Sequence, residues 1–120
     1  MKKQSRKAAF TLVEIMIVVL IIGILMAIAV PNFVKARESA RANSCIATLK
    51  QIDSAKEQYA MDNRLNNGDA VTLANIYTAG ATATNYLKIN STCPSGGAYT
   101  VNVVGTNPTC SIGGLHVLPN

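Results

Sequence analysis

Residues 9–31 read AFTLVEIMIVVLIIGILMAIAVP. From Phe10 to Val30 the run is apolar apart from one acid, Glu14, and two small interruptions, Thr11 and Gly23. As a helix it extends roughly 31 Å at ~1.5 Å per residue, which matches a hydrocarbon core of about 30 Å. The whole chain has 120 residues, and no second element is large enough to cover so many Ile, Leu and Val. The run therefore predicts a single membrane-spanning helix, residues 10–30, around which the other segments are arranged.

Upstream, residues 1–9 (MKKQSRKAA) carry Lys2, Lys3, Arg6 and Lys7 and no acid. Basic residues before an apolar span favour a cytoplasmic N-terminus. The asymmetry is weak, because Lys35, Arg37 and Arg41 follow the span. The formal charge of +5 comes mostly from this leader: from Phe10 onward seven basic residues stand against six acids. That near-neutral body holds no concentrated basic patch and argues against direct nucleic-acid binding.

Downstream, Pro31 removes a helical N–H and crowds the carbonyl of Ala27. Helix character resumes at once, so a kink is expected there rather than a stop. Residues 31–64 contain no further Pro and no Gly, and they are rich in Ala, Lys, Arg, Glu and Gln, all good helix formers. A 100° step places Ala42, Cys45, Ile46, Ile52 and Tyr59 on one stripe with Leu49, opposite Ser44, Gln51 and Gln58. Lys56 falls inside that stripe, which makes the stripe imperfect or sends the lysine snorkelling outward. Glu38 with Arg41, and Lys50 with Asp53, stand at i,i+3 spacing. Cys45, on the apolar stripe, reads as a buried thiol.

Residues 65–120 differ. Asn66-Asn67-Gly68-Asp69 is turn chemistry. Thr72 can cap a short helix over 73–79 closed by Gly80. Asn85 to Ile89 reads as an edge strand. Tyr99 to Val103 alternates with period two, and Thr109 to Ile112 alternates again and pairs back as a hairpin. A last strand is expected over Leu115–Leu118. The predicted fold class is α+β: one long N-terminal helix, apolar then amphipathic, packed on a small C-terminal antiparallel sheet. Cys93 and Cys110 flank the hairpin. A disulfide between them would contribute roughly 3 kcal/mol by loop closure, and it requires the tail to lie outside the cytoplasm. No C-x-x-C occurs, so the spacing gives no support for a zinc site.

Glu14 is the sharpest single residue. A carboxylate in an apolar helix is costly, less so near the helix end. It lies one turn after Phe10. If the chain began at Phe10, the new α-amino group would stand at the same membrane depth and would find its counter-ion in a neighbour's Glu14. Otherwise Glu14 is a solvated carboxylate at the headgroup boundary.

The string Ala9-Phe10-Thr11-Leu12-Val13-Glu14, after a short basic leader and before about twenty apolar residues, resembles the signal shared by type IV pilins and type II secretion pseudopilins. The resemblance implies a pilin-like fold and a structural role. A prepilin peptidase would cut between Ala9 and Phe10 on the cytoplasmic side and N-methylate Phe10. Glu14 would guide assembly, and Gly23 and Pro31 would match the family's helix-loosening residues. The subunit would rest in the inner membrane, N-in and C-out, in contact with lipid. It would then join a helical polymer of its own kind through an inner-membrane assembly platform, alongside minor pilins or pseudopilins. Ala9 departs from the Gly usual before the cut. Small size and a neutral Gly/Thr/Asn-rich tail are similar to the G class of major pseudopilins. Members of that class commonly bind calcium through acids in the C-terminal loops, but no acid follows Asp69 here. Neither a metal nor another cofactor is therefore expected, and the Cys93–Cys110 bridge would hold the loops instead.

Three other readings compete. A type IV pilus subunit for adhesion, motility or DNA uptake would share the same signal. A secretory signal peptide cut after Ala29, at Ala27-Ile28-Ala29, would release a disulfide-bonded binding module starting at Val30. Against it, the apolar run exceeds the usual 7–15 residues and Glu14 interrupts its start. An enzyme finds no support: the one histidine, His116, has no acid after Asp69 to partner it, and no nucleophile set or phosphate loop is visible.

Overall fold

The computed structural model describes residues 9–79, 85–88 and 92–120. The basic residues of the leader, Gly80 and Ile89 lie outside that range. The element order is α1 (Leu12–Asp62), α2 (Leu73–Ile76), β1 (Tyr99–Thr100) and β2 (Thr109–Cys110). This is the expected α+β architecture of one long helix followed by a small antiparallel sheet. Two units are distinct: one reaches to Ala36, the other runs from Arg37 to Asn120.

In the first unit α1 is helical throughout and contains Pro31. It is long and apolar enough to cross a membrane, and its apolar window buries nothing. Its large apolar side chains from Leu12 to Val34 are all exposed, as is Phe10 just before it.

In the second unit the remainder of α1 supplies one wall of the core. Ala42, Cys45, Leu49, Ile52, Ala55, Lys56 and Ala60 are buried, while Ser44, Gln51 and Gln58 face out. These positions recur every three or four residues, which keeps one stripe toward the core. Lys56 corrects the sequence reading. It neither breaks the stripe nor snorkels to water, because its side chain is fully buried. Its ammonium donates to the Thr106 carbonyl and pairs with Asp53 at 3.1 Å. Asp53 is thus committed to Lys56, not to Lys50, and Lys56–Asp53 is the ion pair found among the described residues.

The tail closes over this stripe. Ile52, Ala55 and Ala60 pack with Val71, Ile76, Leu87, Val101 and Val104. Tyr59 meets Tyr86 edge-on, with centroids 5.6 Å apart. The Asn66–Asp69 turn is fixed by a reciprocal backbone pair: Gly68 N–H donates to Val104 O at 2.9 Å, and Val104 N–H donates to Asp69 O at 3.0 Å.

Regular structure is shorter than the alternation suggests. β1 and β2 pair antiparallel, Tyr99 opposite Cys110 and Thr100 opposite Thr109. Asn102 then turns the chain with φ of 61°, and its amide donates to the Asn107 carbonyl at 2.8 Å. That left-handed residue ends a ladder expected to reach Val103. α2 stops at Ile76, short of the expected Ala79, because Tyr86 and Leu87 N–H both donate to the Ile76 carbonyl at 3.0 Å. Residues 85–88 serve this contact as a bend and form no strand. Leu115–Leu118 is likewise not a strand; His116 N–H closes a turn onto Gly113 O at 3.0 Å.

Candidate functional site

Ala9, Phe10 and Thr11 precede the helix in non-helical backbone. Thr11 occupies the N-cap of α1, and its hydroxyl oxygen accepts from the Glu14 N–H at 3.2 Å. A helix leaves its first four N–H groups without partners, and in lipid water cannot satisfy them. Thr11 satisfies one from within the chain. Glu14 is the acid of the first turn, where the partial positive charge of the helix end favours an anion. Its position is therefore less costly than the same carboxylate at mid-helix would be.

Phe10 is 79% exposed and touches little of its own chain. From there the apolar surface is continuous and far exceeds what monomeric soluble proteins leave uncovered. Lipid or other copies of the same helix can cover it. At Gly23 nothing lies within 4 Å of where a Cβ would stand, so this position adds no contact of its own. Pro31 sits inside α1 and leaves the Ala27 carbonyl without its usual donor.

The remaining site residues come together in the second unit. Cys93 and Cys110 are buried next to each other, and the structure adds two residues that the sequence had kept apart from them, Cys45 and His116. The ligating atoms of all four lie within 4.8 Å of one another. Cys93 Sγ is 3.6 Å from His116 Nδ1. The expected Cys93–Cys110 bridge is not formed: all three cysteines are free thiols. Burial pushes the Cys45 thiol up to about 12. Burial also raises Cys93, but N–H groups of Ser95 and Gly97 and the thiols of Cys110 and Cys45 outweigh it, and Cys93 falls to about 7. The Tyr99 hydroxyl is buried here without a hydrogen-bond partner. Burial, then the neighbouring Cys45 sulfur, holds its proton on well beyond the ordinary tyrosine range.

Two residues were missed from the sequence. Thr11 looked like an interruption, although Thr-x-x-Glu before an apolar run is the signature of a capping box. His116 looked like a terminal side chain of no consequence, and it is 4% exposed. No short-range pattern reports it, because its partners come from α1, the turn at Cys93–Gly96 and the end of β2.

The geometry defines a class: a chain whose described residues include one helix long and apolar enough to cross a membrane, capped by its own residues, with one acid in its first turn and its apolar surface uncovered. A family model described as the prokaryotic N-terminal methylation motif matches residues 4–30. Over 63 residues the chain is 36% identical to the type II secretion system core protein G of Vibrio cholerae, covering 52% of this chain and 43% of that protein. It is 32% identical over 89 residues to the ComG operon protein 3 homolog of Bacillus licheniformis, covering 74% of this chain and 84% of that one. It is 44% identical over 54 residues to the type IV major pilin protein PilA of Myxococcus xanthus, covering 45% of this chain and 24% of that one. The chain belongs to the type IV pilin-like family, whose members are structural subunits of pili and pseudopili rather than enzymes. It spans about half the length of the secretion relatives it matches, from 37% to 63%. No solved structure matches it.

Proposed function

We propose that this chain is a subunit of a type II secretion pseudopilus, assembled through the apolar helix that follows Phe10. The observation that carries the reading is the uncovered apolar surface of Phe10–Val30 following a self-contained cap, with Glu14 as its one charge. The chain enters the inner membrane N-in and C-out. A prepilin peptidase cuts between Ala9 and Phe10 and methylates the Phe10 nitrogen. The α-amino group so created is a cation beside the first helical turn, and Glu14 of an adjacent subunit is its natural counter-ion. In lipid such a pair gains strength from the low dielectric. Subunits added by this rule stack head to tail without closing, which lengthens a fibre. Gly23 and Pro31 give the packed helices room to loosen. The platform, minor pseudopilins and lipid are its partners, and secreted proteins are moved by the growing fibre.

Mass spectrometry of the mature N-terminal peptide tests this. A methylated Phe10 start is expected. A Val30 start would sink the reading in favour of a secreted module, and an intact Met1 would leave a plain membrane anchor. A second reading, a surface pilus, draws on the likeness to the Myxococcus xanthus pilin. Deleting the gene separates the two. Loss of exoprotein secretion with surface fibres intact supports the pseudopilus, and loss of surface fibres with secretion intact supports the pilus.

A further inference from the structure

We propose that Cys45, Cys93, Cys110 and His116 form a tetrahedral binding site for a zinc-class divalent ion, tying α1 to the two C-terminal loops. All four side chains are buried, and each directs one ligand atom at a common point, with every pair of those atoms within 4.8 Å. Tetrahedral zinc with Zn–S of about 2.3 Å and Zn–N of about 2.0–2.1 Å requires S···S near about 3.8 Å and S···N near about 3.6 Å. The Cys93 Sγ to His116 Nδ1 distance is 3.6 Å. The other edges need to close by no more than about 1 Å. Three sulfurs and one imidazole are a donor set that selects zinc over the hard, oxygen-seeking cations.

The surroundings suit a thiolate-bound ion. Backbone N–H groups of Ser95 and Gly97 lie near the Cys93 sulfur. The Tyr99 hydroxyl, buried and without a partner, adjoins the Cys45 sulfur and can donate to it once that sulfur is a thiolate. Such outer donors fix ligands in place and stabilise their charge. A Cys93–Cys110 disulfide would use two of the four groups and strand Cys45 and His116 in the same buried pocket. The ion uses all four.

The step balances without redox chemistry. Three S–H bonds give their protons to the buffer, three metal–sulfur bonds form, and His116 binds through Nδ1 while its remaining proton stays on Nε2. The inference is independent of the fibre assignment, since it concerns only residues of the second unit.

The test uses the full chain in detergent, purified anaerobically under a thiol reductant and titrated with Co²⁺, then Zn²⁺. One Co²⁺ per chain is expected, with sulfur-to-cobalt charge-transfer and tetrahedral d–d absorption that Zn²⁺ abolishes. Cys45→Ser and His116→Ala are each expected to weaken binding at least ~100-fold, and Tyr99→Phe about 10-fold. Three results would each overturn the site. The first is a reduced wild-type chain that takes up no Co²⁺, the second a Cys45→Ser variant that binds as well as wild type, and the third a Cys93–Cys110 bridge in chain alkylated at the moment of lysis. The wild-type titration and the alkylation both stand even where a variant fails to fold.

Discussion

Lys56 offers a sharp measurement of what holds the second unit together. Its stem is buried in the core wall of α1 and its ammonium reaches the Thr106 carbonyl. Lys56→Met keeps the stem's length and removes only the charge. The lost hydrogen bond from a charged donor is worth about 1.5–3 kcal/mol, and the desolvation cost that disappears with the ammonium offsets most of it. The pair with Asp53 adds little, because that carboxylate is 37% exposed and rehydrates. Lys56→Met is therefore expected within about 1 kcal/mol of wild type. Lys56→Ala also removes three buried methylenes, at about 0.8 kcal/mol each, and leaves a cavity. Its expected cost is about 3–4 kcal/mol. Tyrosine emission in urea reports this core directly, since the chain has no Trp and all four tyrosines pack against the cluster around Ile52 and Val104. A gap of about 2 kcal/mol between the variants moves the midpoint by about 1–2 M. Equal midpoints for Met and Ala would refute the packing account. A Met variant worse by more than about 3 kcal/mol would show that the charge, not the stem, sustains the fold.

Gly97 is close-packed: a Cβ there would stand 2.7 Å from both Cys110 Sγ and Ile112 Cγ1. Gly97→Ala is expected to destabilise the second unit by about 1–3 kcal/mol in the same urea assay. Thr11→Val removes the cap oxygen, costs about 1 kcal/mol at the helix start, and should speed amide exchange at Glu14 in micelles while leaving mid-helix amides unchanged. The Tyr86 hydroxyl donates to Asp62 at 2.8 Å, and that bond, then burial, raises its pKa above the ordinary tyrosine value of 10.0. The folded state thus holds this proton more tightly than the unfolded one. Its contribution is complete below pH of about 10 and is lost as pH rises through the folded pKa. Phenolate absorbance should show two tyrosines ionising late, Tyr86 and Tyr99, and Asp62→Asn should abolish the lag of Tyr86 alone. Glu14→Gln removes the counter-ion but keeps the cap, so the subunit should still insert yet fail to enter fibres in a shearing assay; undiminished fibres would contradict the charge-pairing step.

The helix was legible because its signals are local and redundant. Twenty-one residues of apolar sequence, then Ala42, Cys45, Leu49 and Ile52 at helical spacing, leave few alternatives. The tail was less legible for a physical reason. Its order comes from single long-range bonds rather than from repeated ladders. The Ile76 carbonyl is claimed by Tyr86 and Leu87, the Asn66–Asp69 turn by Val104, and Lys56 by Thr106. None of these leaves a periodic trace. The alternation of Tyr99 to Val103 promised a longer strand, and Asn102 at positive φ cut it short. The sulfur cluster lay beyond reach for the same reason, since it exists only after α1, the Cys93 turn, β2 and the His116 turn have converged.

The cap at Thr11 has a consequence for maturation. The Ala9–Phe10 peptide bond lies in non-helical backbone, and the oxygen that starts the helix belongs to the residue after Phe10. Under the cleavage proposed above, the bond lies outside α1, so no turn of that helix would have to unwind to expose it. The hydrogen bonds described for α1, including its cap at Thr11, all lie on the Phe10 side of that bond. The proposed cut would discard the four side-chain charges of Lys2, Lys3, Arg6 and Lys7 and create one new cation at Phe10, so maturation would rewrite the charge beside the first turn of α1.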